Sequence, residues 1–164
     1  MLRAPSQNSW YWRMIEKIYA IPVPAPRERT KPMEVICVGM PRSGTESLQQ
    51  ALLILGYDYT FHGWDPGFEE EMRLPGWTAL LRRKWYGDDS GTASISAEDF
   101  DALLGHSVAV TDAAASFFAV ELIDAYPEAK VVLNMRRDLD AWHQSAGYGA
   151  ENLGEQSVLY CYLV

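Results

Sequence analysis

An apolar run passes through a glycine-bounded turn into an amphipathic helix in residues 35–57, VICVGMPRSGTESLQQALLILGY. The run is rich in β-branched residues and ends at Gly39, which predicts a buried strand. Apolar residues then recur on one face at helical spacing as far as the stop at Gly56: Leu48, Ala51, Leu52 and Leu55. A strand that is followed by a helix within a few residues is the opening unit of a parallel α/β sheet, so this segment alone favours an α/β fold.

Strand and helix patterns alternate along the rest of the chain. Further strands are predicted at residues 57–61, 107–111 and 129–135. Helices are predicted at residues 77–85, 96–105 (behind an N-cap at Ser96), 115–127 and 138–149. This order predicts an α/β fold with a mainly parallel sheet covered by helices on both faces.

The chain divides into an N-terminal segment and one domain. Residues 1–33 read as an N-terminal arm or linker, in which WYWRMIEKIYA predicts a short amphipathic helix and IPVPAPRERTKP an extended stretch. Arg27, Arg29 and Lys31 in that stretch are expected to be solvated. The domain is expected to occupy residues 34–164, a length that suits one hydrophobic core.

Charge and cysteine usage exclude several classes of function. A net charge of −8 argues against a nucleic-acid or membrane-surface binder, although a local cluster of amides and arginines can still hold a small anion. Residues 1–20 lack the apolar core of a signal peptide, and no segment reaches the roughly 20 apolar residues of a membrane span. Cys37 lies in an apolar strand far from Cys161, which favours a reduced core thiol and a cytoplasmic protein.

The turn itself predicts an anion site, because a helix N-terminus presents free backbone N–H groups and a partial positive charge. Gly39 and Gly44 have the spacing of the nucleotide-binding pattern G-x-x-x-x-G-K-[ST], but Thr45 and Glu46 replace its lysine and hydroxyl residue. Arg42 supplies a cation from inside the loop instead. The loop is therefore poorly built for hydrolysis of a magnesium triphosphate, and the alternative is a strand–helix turn without a ligand.

The stretch GMPRSGTESLQQAL resembles the sulfuryl-donor loop of sulfotransferases, approximately P-[KR]-[SG]-G-[TS]-x-x-L, and particularly the sulfotransferase-like proteins common in fungi. The resemblance implies a P-loop NTPase-like fold of the sulfotransferase type and 3′-phosphoadenosine 5′-phosphosulfate as donor, with no metal. The residues that would cradle the 5′-phosphosulfate are Pro41, Arg42, Ser43, Gly44, Thr45, Glu46 (through its amide alone) and Ser47.

A second match concerns the donor's 3′-phosphate. In the family an arginine at the end of a later strand and a serine about eight residues on bind it, and AKVVLNMRRDLDAWHQS places Arg137 and Ser145 at that separation. Arginine suits bidentate phosphate recognition. Arg136 competes with Arg137 for the role. In the alternative, Arg137 and Asp138 cap the helix and Ser145 faces solvent.

The general base has two candidates. In cytosolic sulfotransferases a histidine follows the strand before the 3′-phosphate strand, and Asp112 stands at that point here. His62, after another predicted strand, is the competitor, while His106 and His143 are expected to be surface or packing residues. Arg42 would stabilise charge on the bridging oxygen during transfer. The histidines and cysteines lack zinc-ligand spacing, so no metal is predicted.

The aromatic-rich residues 61–100 could line an acceptor pocket or belong to the core: Trp64, Phe68, Trp77 and Trp85. The resemblance implies transfer of a sulfuryl group to a hydroxyl or amine of a small molecule. The alternative is a degenerate nucleotide-binding protein, either kinase- or NTPase-like or a non-catalytic remnant. Sulfotransferases continue further beyond the Ser145 position than this chain does, which implies a C-terminally short member whose exposed core would favour a homo-oligomer.

Overall fold

The computed structural model describes residues 10–19, 22–68, 70–87 and 94–152. The strands are β1 (Val35–Cys37), β2 (Thr60–Phe61), β3 (Ala109–Val110) and β4 (Lys130–Val132). The helices are α1 (Trp10–Ile18), α2 (Thr45–Ile54), α3 (Asp65–Phe68), α4 (Leu74–Tyr86), α5 (Ala97–Leu104), α6 (Asp112–Phe117), α7 (Ala119–Ala125) and α8 (Leu139–Asn152), with a 3₁₀ turn at Glu71–Arg73. None of the helices in these ranges is long and apolar enough to cross a membrane.

The strands form one parallel sheet in the order β2-β3-β1-β4. Ile36 of β1 pairs with Val110 of β3 on one side and with Val131 of β4 on the other. Because every pairing is parallel, each connection crosses over through helical segments, and the carboxyl ends of the strands meet at one edge. The sequence-based prediction of a parallel α/β sheet is confirmed.

Alternation along β1 divides the core between the two faces of the sheet. Val35 and Cys37 pack with Leu52 of α2 on one face, and Ile36 joins Phe118 and Leu122 in the larger cluster on the other. Helices therefore cover both faces, as predicted. Burial raises the pKa of the Cys37 thiol to about 11, so this free cysteine is a protonated core residue. Cys161 lies outside the described residues.

Several predicted elements differ in extent from the observed ones, most of all one helix and one strand. The helix expected at residues 115–127 begins instead at Asp112 and breaks at Phe118, whose buried ring packs against Trp77 and Phe100. Core packing has overridden local helical periodicity there. The strand expected at residues 129–135 extends only over Lys130–Val132, and all three residues are exposed. Among the described residues, no strand pairs with the outer edge of β4.

The prediction that Arg27 and Arg29 form a solvated linker is wrong. Arg27 makes a two-pronged ion pair with Glu70, in which the nitrogen–oxygen distances are 3.0 and 2.7 Å. Arg29 pairs with Asp101 and donates to the carbonyl of Ser107 at 2.7 Å. Half-buried arginines must find acceptors, so this segment lies against the domain. Lys31 is exposed, as predicted, and its ammonium donates to the carbonyl of Asp58.

Replacing Glu70 with glutamine should destabilise the fold at neutral pH and make its stability less sensitive to acid. Burial opposes ionisation of Glu70, but hydrogen bonds from His106 and Arg27 outweigh it and lower its pKa from 4.5 to about 2. Ionised Glu70 therefore stabilises the fold above pH 4.5, and this contribution is lost as the pH falls through 2. Allowing for partial solvent exposure, we expect Glu70→Gln to lower the free energy of unfolding at pH 7 by about 2 kcal/mol in denaturant titrations.

Glu128→Gln, at an exposed carboxylate, is the matched control for Glu70→Gln and should change stability by less than about 0.5 kcal/mol. Between pH 4.5 and 2 the Glu70 variant should also lose less stability than the wild-type chain. Equal acid profiles for the wild type and Glu70→Gln would contradict the role assigned to the ion pair.

Candidate functional site

Residues 39–47, here called the glycine loop, connect β1 to α2 at the carboxyl edge of the sheet. Arg42 and Gly44 adopt left-handed backbone angles, with φ of 67° and 86°, and the Ser43 amide donates to the Met40 carbonyl at 3.2 Å. The first helical hydrogen bond runs from Leu48 to Gly44. The amides of residues 45–47 precede it and have no partner within the helix, as at any helix N-terminus. Free N–H groups at the start of a helix are suited to hold an anion.

Asn134 supports the glycine loop from the segment after β4. Its side-chain amide donates to the Ser43 hydroxyl at 2.7 Å, and that hydroxyl donates to the Met40 carbonyl at 2.5 Å. The approach is so close that a Cβ at position 39 would lie 2.1 Å from Asn134 Oδ1, which explains the need for glycine there. Sequence reasoning missed Asn134. The available signal was a polar residue directly after an apolar strand at the ligand-binding edge of an α/β sheet.

Helix α8 also packs against the glycine loop. Arg42 Nε donates to Ser145 Oγ at 3.0 Å, and the indole nitrogen of Trp142 donates to the Pro41 carbonyl at 2.8 Å. The two motifs singled out in the sequence therefore meet in space, and Ser145 contacts Arg42 instead of facing only solvent. Asp138 caps α8 by accepting from the Ala141 amide at 2.9 Å.

Arg136 and Arg137 both lie exposed in the link between β4 and α8. Neither makes a hydrogen bond or ion pair with any part of the chain that the structure describes. Their guanidinium groups are therefore available to an anion near the N-terminus of α8. Both arginines are therefore candidates for the 3′-phosphate contact that the resemblance implies.

A buried hydrogen-bond relay connects both candidate bases to the glycine loop. The Trp64 amide donates to His62 Nδ1 at 3.2 Å, so the neutral ring carries its proton on Nε2 and donates to Thr45 Oγ1 at 3.3 Å. The Thr45 hydroxyl in turn donates to Asp112 Oδ1 at 2.8 Å. Because this hydroxyl is committed to Asp112, Thr45 can offer a bound anion its backbone amide alone.

Asp112 and His62 occupy different positions in the relay. Asp112 begins α6 directly after β3, with φ of 64°, and its second oxygen faces Gly63, where a Cβ would lie 2.2 Å from Oδ2. His62 is 2% exposed, and its own amide donates to Asp65 at 2.9 Å. Both ring nitrogens of His62 are engaged, whereas one oxygen of Asp112 is not bonded to Thr45. Asp112 is thus the better placed of the two to accept a proton.

The other residues considered from the sequence are distributed around this site. His106 stacks on Tyr59 and approaches Glu70 at 3.3 Å, and His143 is exposed. Trp77 is buried, Trp64 is half-buried, Trp85 is 63% exposed, and the Phe68 side chain lies outside the described set. Over the described residues, no three histidine, cysteine or acidic side chains gather in a way that could hold a metal ion.

Comparison with known proteins agrees with the resemblance in the glycine loop. A family model described as "Sulfotransferase domain" matches residues 34–162, more than half of the chain. The "Ava biosynthesis cluster protein M" of Aspergillus versicolor is 40% identical over 105 residues. That match covers 63% of this chain and 38% of the relative, so the chain corresponds to a minor part of the relative's length. The extent of the family match shows that this chain belongs to the sulfotransferase-domain family.

Proposed function

We propose that this chain transfers a sulfuryl group from 3′-phosphoadenosine 5′-phosphosulfate to a hydroxyl or amine of a small-molecule acceptor, without a metal. The observation that carries the proposal is the contact of Arg42 with Ser145. It joins the glycine loop to the helix that follows the arginine pair. A donor with phosphate groups at both its 5′ and 3′ positions needs two such neighbouring anion sites.

The chemistry of the glycine loop suits the 5′-phosphosulfate. Amides of residues 45–47 point from the start of a ten-residue helix, and Arg42 adds a guanidinium whose terminal nitrogens have no partner within the described ranges. The 3′-phosphate would lie toward Ser145 and one arginine of the 136–137 pair. These groups supply cationic and hydrogen-bonding contacts locally on a chain whose net charge is −8.

In the proposed reaction the acceptor oxygen or nitrogen bonds to sulfur as the bond between sulfur and the bridging phosphate oxygen breaks. Adenosine 3′,5′-bisphosphate leaves with the electron pair of that bond. The Asp112 oxygen that is not bonded to Thr45 takes the proton of the acceptor. Arg42 stabilises the charge that develops on the bridging oxygen. The Thr45 hydroxyl and the His62 ring hold the Asp112 carboxylate in place, and neither of these side chains touches the substrates.

The alternative of a kinase- or NTPase-like protein is less well supported. A nucleotide triphosphate site of that type uses a loop lysine and an adjacent hydroxyl on magnesium, and here Thr45 and Glu46 occupy those two positions. The Thr45 hydroxyl is buried and donates to Asp112. A non-catalytic remnant would bind the donor without turning it over.

Calorimetric titration with adenosine 3′,5′-bisphosphate, in EDTA, tests the donor site. We expect the bisphosphate to bind more tightly than magnesium-ATP. Replacing the arginine that holds the 3′-phosphate with alanine should lower the affinity about tenfold or more, and the family resemblance assigns this role to Arg137. Arg136→Ala is the matched control, one residue away and also exposed.

A larger loss in Arg136→Ala would assign the 3′-phosphate to Arg136 and leave the donor proposal standing. Tighter binding of magnesium-ATP than of the bisphosphate would replace the proposal with the kinase- or NTPase-like alternative. Binding of neither compound by a folded chain would reject a donor site altogether.

A further inference from the structure

Two side chains from the segment that runs from the end of β4 into the first turn of α8 hold the residues on either side of Arg42. The Trp142 indole nitrogen donates to the Pro41 carbonyl at 2.8 Å, and the Asn134 side-chain amide donates to the Ser43 hydroxyl at 2.7 Å. Trp142 and Asn134 are here called the clamp. Arg42 therefore lies between two neighbours that are each fixed by a long-range hydrogen bond.

Arg42 needs such support because its backbone is left-handed, with φ of 67°. A residue that carries a Cβ rarely adopts this conformation, and it persists where the surrounding structure holds it. Pro41 has no amide hydrogen, so its carbonyl is the one backbone group through which a side chain can hold it by a hydrogen bond. Trp142 uses that carbonyl. The clamp thus acts on the two residues that flank the strained one.

The backbone and the side chain of Arg42 are fixed by different residues of α8. Trp142 and Ser145 are three positions apart, so they lie on the same face of the helix. Trp142 holds the backbone through Pro41, whereas Ser145 accepts from Arg42 Nε at 3.0 Å. A displaced backbone would carry the guanidinium away from Ser145. The position of the guanidinium therefore depends on Trp142 as well as on Ser145.

The hydrogen bonding of Asn134 favours the geometry of the glycine loop over the stability of the fold. Its Nδ2 bonds the Ser43 hydroxyl, but its Oδ1 is buried and has no hydrogen-bond partner among the described residues. An unpaired buried acceptor lowers stability. A side chain that loses stability at one atom and bonds the loop with the other is suited to positioning the loop.

Resting on the proposed sulfuryl transfer, we infer that Trp142 and Asn134 are positioning residues for Arg42. They keep its backbone left-handed, so that the guanidinium is in place for the bridging oxygen before the donor binds. Neither clamp residue touches the donor or the acceptor, and each acts on the reaction through Arg42. Loss of a clamp bond should therefore slow transfer and change bisphosphate affinity less.

A double-variant cycle between Trp142 and Arg42 tests the clamp. Trp142→Phe keeps an aromatic ring and removes the N–H that bonds Pro41. In the wild-type background it should slow single-turnover transfer about tenfold. In the Arg42→Ala background it should slow the residual transfer less than about twofold, because the group that it positions is gone. Trp10→Phe, the same change at an exposed tryptophan of α1, is the matched control and should leave the rate unchanged.

Hydrogen exchange of the Arg42 Nε–H is a second readout, which requires neither donor nor turnover. The bond to Ser145 protects this proton, so Trp142→Phe should raise its exchange rate about threefold or more in NMR spectra of the ¹⁵N-labelled chain. Arg42→Lys, which lacks the signal, assigns it. Asn134→Ala should give the same pattern of rate and exchange, and it replaces Trp142→Phe if that variant does not fold.

The outcomes separate the clamp from the donor proposal. Equal slowing by Trp142→Phe in both Arg42 backgrounds would mean that Trp142 acts through the stability of the fold, and it would overturn the inference. An unchanged exchange rate of the Arg42 Nε–H in Trp142→Phe would overturn it as well. Failure of the bisphosphate to bind would reject the donor proposal, whereas faster exchange in Trp142→Phe would still establish that the clamp holds Arg42.

Discussion

Replacing Arg42 with alanine should reduce the rate of sulfuryl transfer about 10²–10³-fold, the usual cost of removing one donor that stabilises charge in a transition state. Arg42 is the cation of the glycine loop, and its left-handed backbone and bond to Ser145 fix its position before any ligand arrives. A preorganised guanidinium costs no reorganisation during the reaction, so most of the loss should appear in kcat. The measurement is formation of adenosine 3′,5′-bisphosphate from the donor with a mixture of small alcohols.

Arg42→Lys is the matched variant for this prediction, since it keeps the positive charge and loses the planar guanidinium group. We expect it to recover part of the rate and little of the contact with Ser145. Ser145→Ala tests that contact separately: it should weaken bisphosphate binding more than it slows transfer. A wild-type rate in Arg42→Ala, with the glycine loop folded, would remove Arg42 from the mechanism.

Local patterns in the sequence were enough to predict the frame of the site. β1, the turn and α2 are specified by residues next to one another, and each follows its own periodicity or glycine placement. Asp112 and Ser145 could be named because the resemblance to sulfotransferases implies site residues after two of the predicted strands. Asp112 lies near a strand end, where a parallel sheet gathers ligand-binding groups, whereas Ser145 lies inside α8.

The details that the sequence did not reveal all depend on contacts between distant residues. Asn134 and Ser43 are 91 positions apart, and Arg27 and Glu70 are 43 apart. No helical or strand period carries information over such separations. The break at Phe118 has the same origin, because packing against Trp77 and Phe100 decides it and the local sequence favours one continuous helix.

The relay gives Asp112 and His62 separable roles that neither the strand pattern nor the resemblance could assign. Asp112 offers a carboxylate oxygen that is not bonded to Thr45, and His62 reaches the carboxylate only through Thr45. Removing the carboxylate should therefore stop proton transfer. Removing the imidazole should only make the carboxylate more mobile. Replacing Asp112 should therefore slow transfer more than replacing His62 does.

Asp112→Asn is expected to lower kcat by about 10²-fold or more, because the amide cannot take the acceptor proton. The substitution keeps an oxygen that can accept from Thr45, so the relay and the start of α6 should survive, and bisphosphate affinity should match that of the wild type. Single-turnover transfer to the acceptor gives the chemical step, and calorimetry on the same preparation gives the affinity.

His62→Gln is the comparison that decides between the two candidate bases. It should reduce transfer by less than Asp112→Asn, since glutamine can still donate toward Thr45. The reverse order, with bisphosphate binding intact in both variants, would make His62 the base and Asp112 its support. An equal loss of both affinity and rate in Asp112→Asn would mean that the carboxylate shapes the glycine loop through Thr45, and that the acceptor proton leaves by another route.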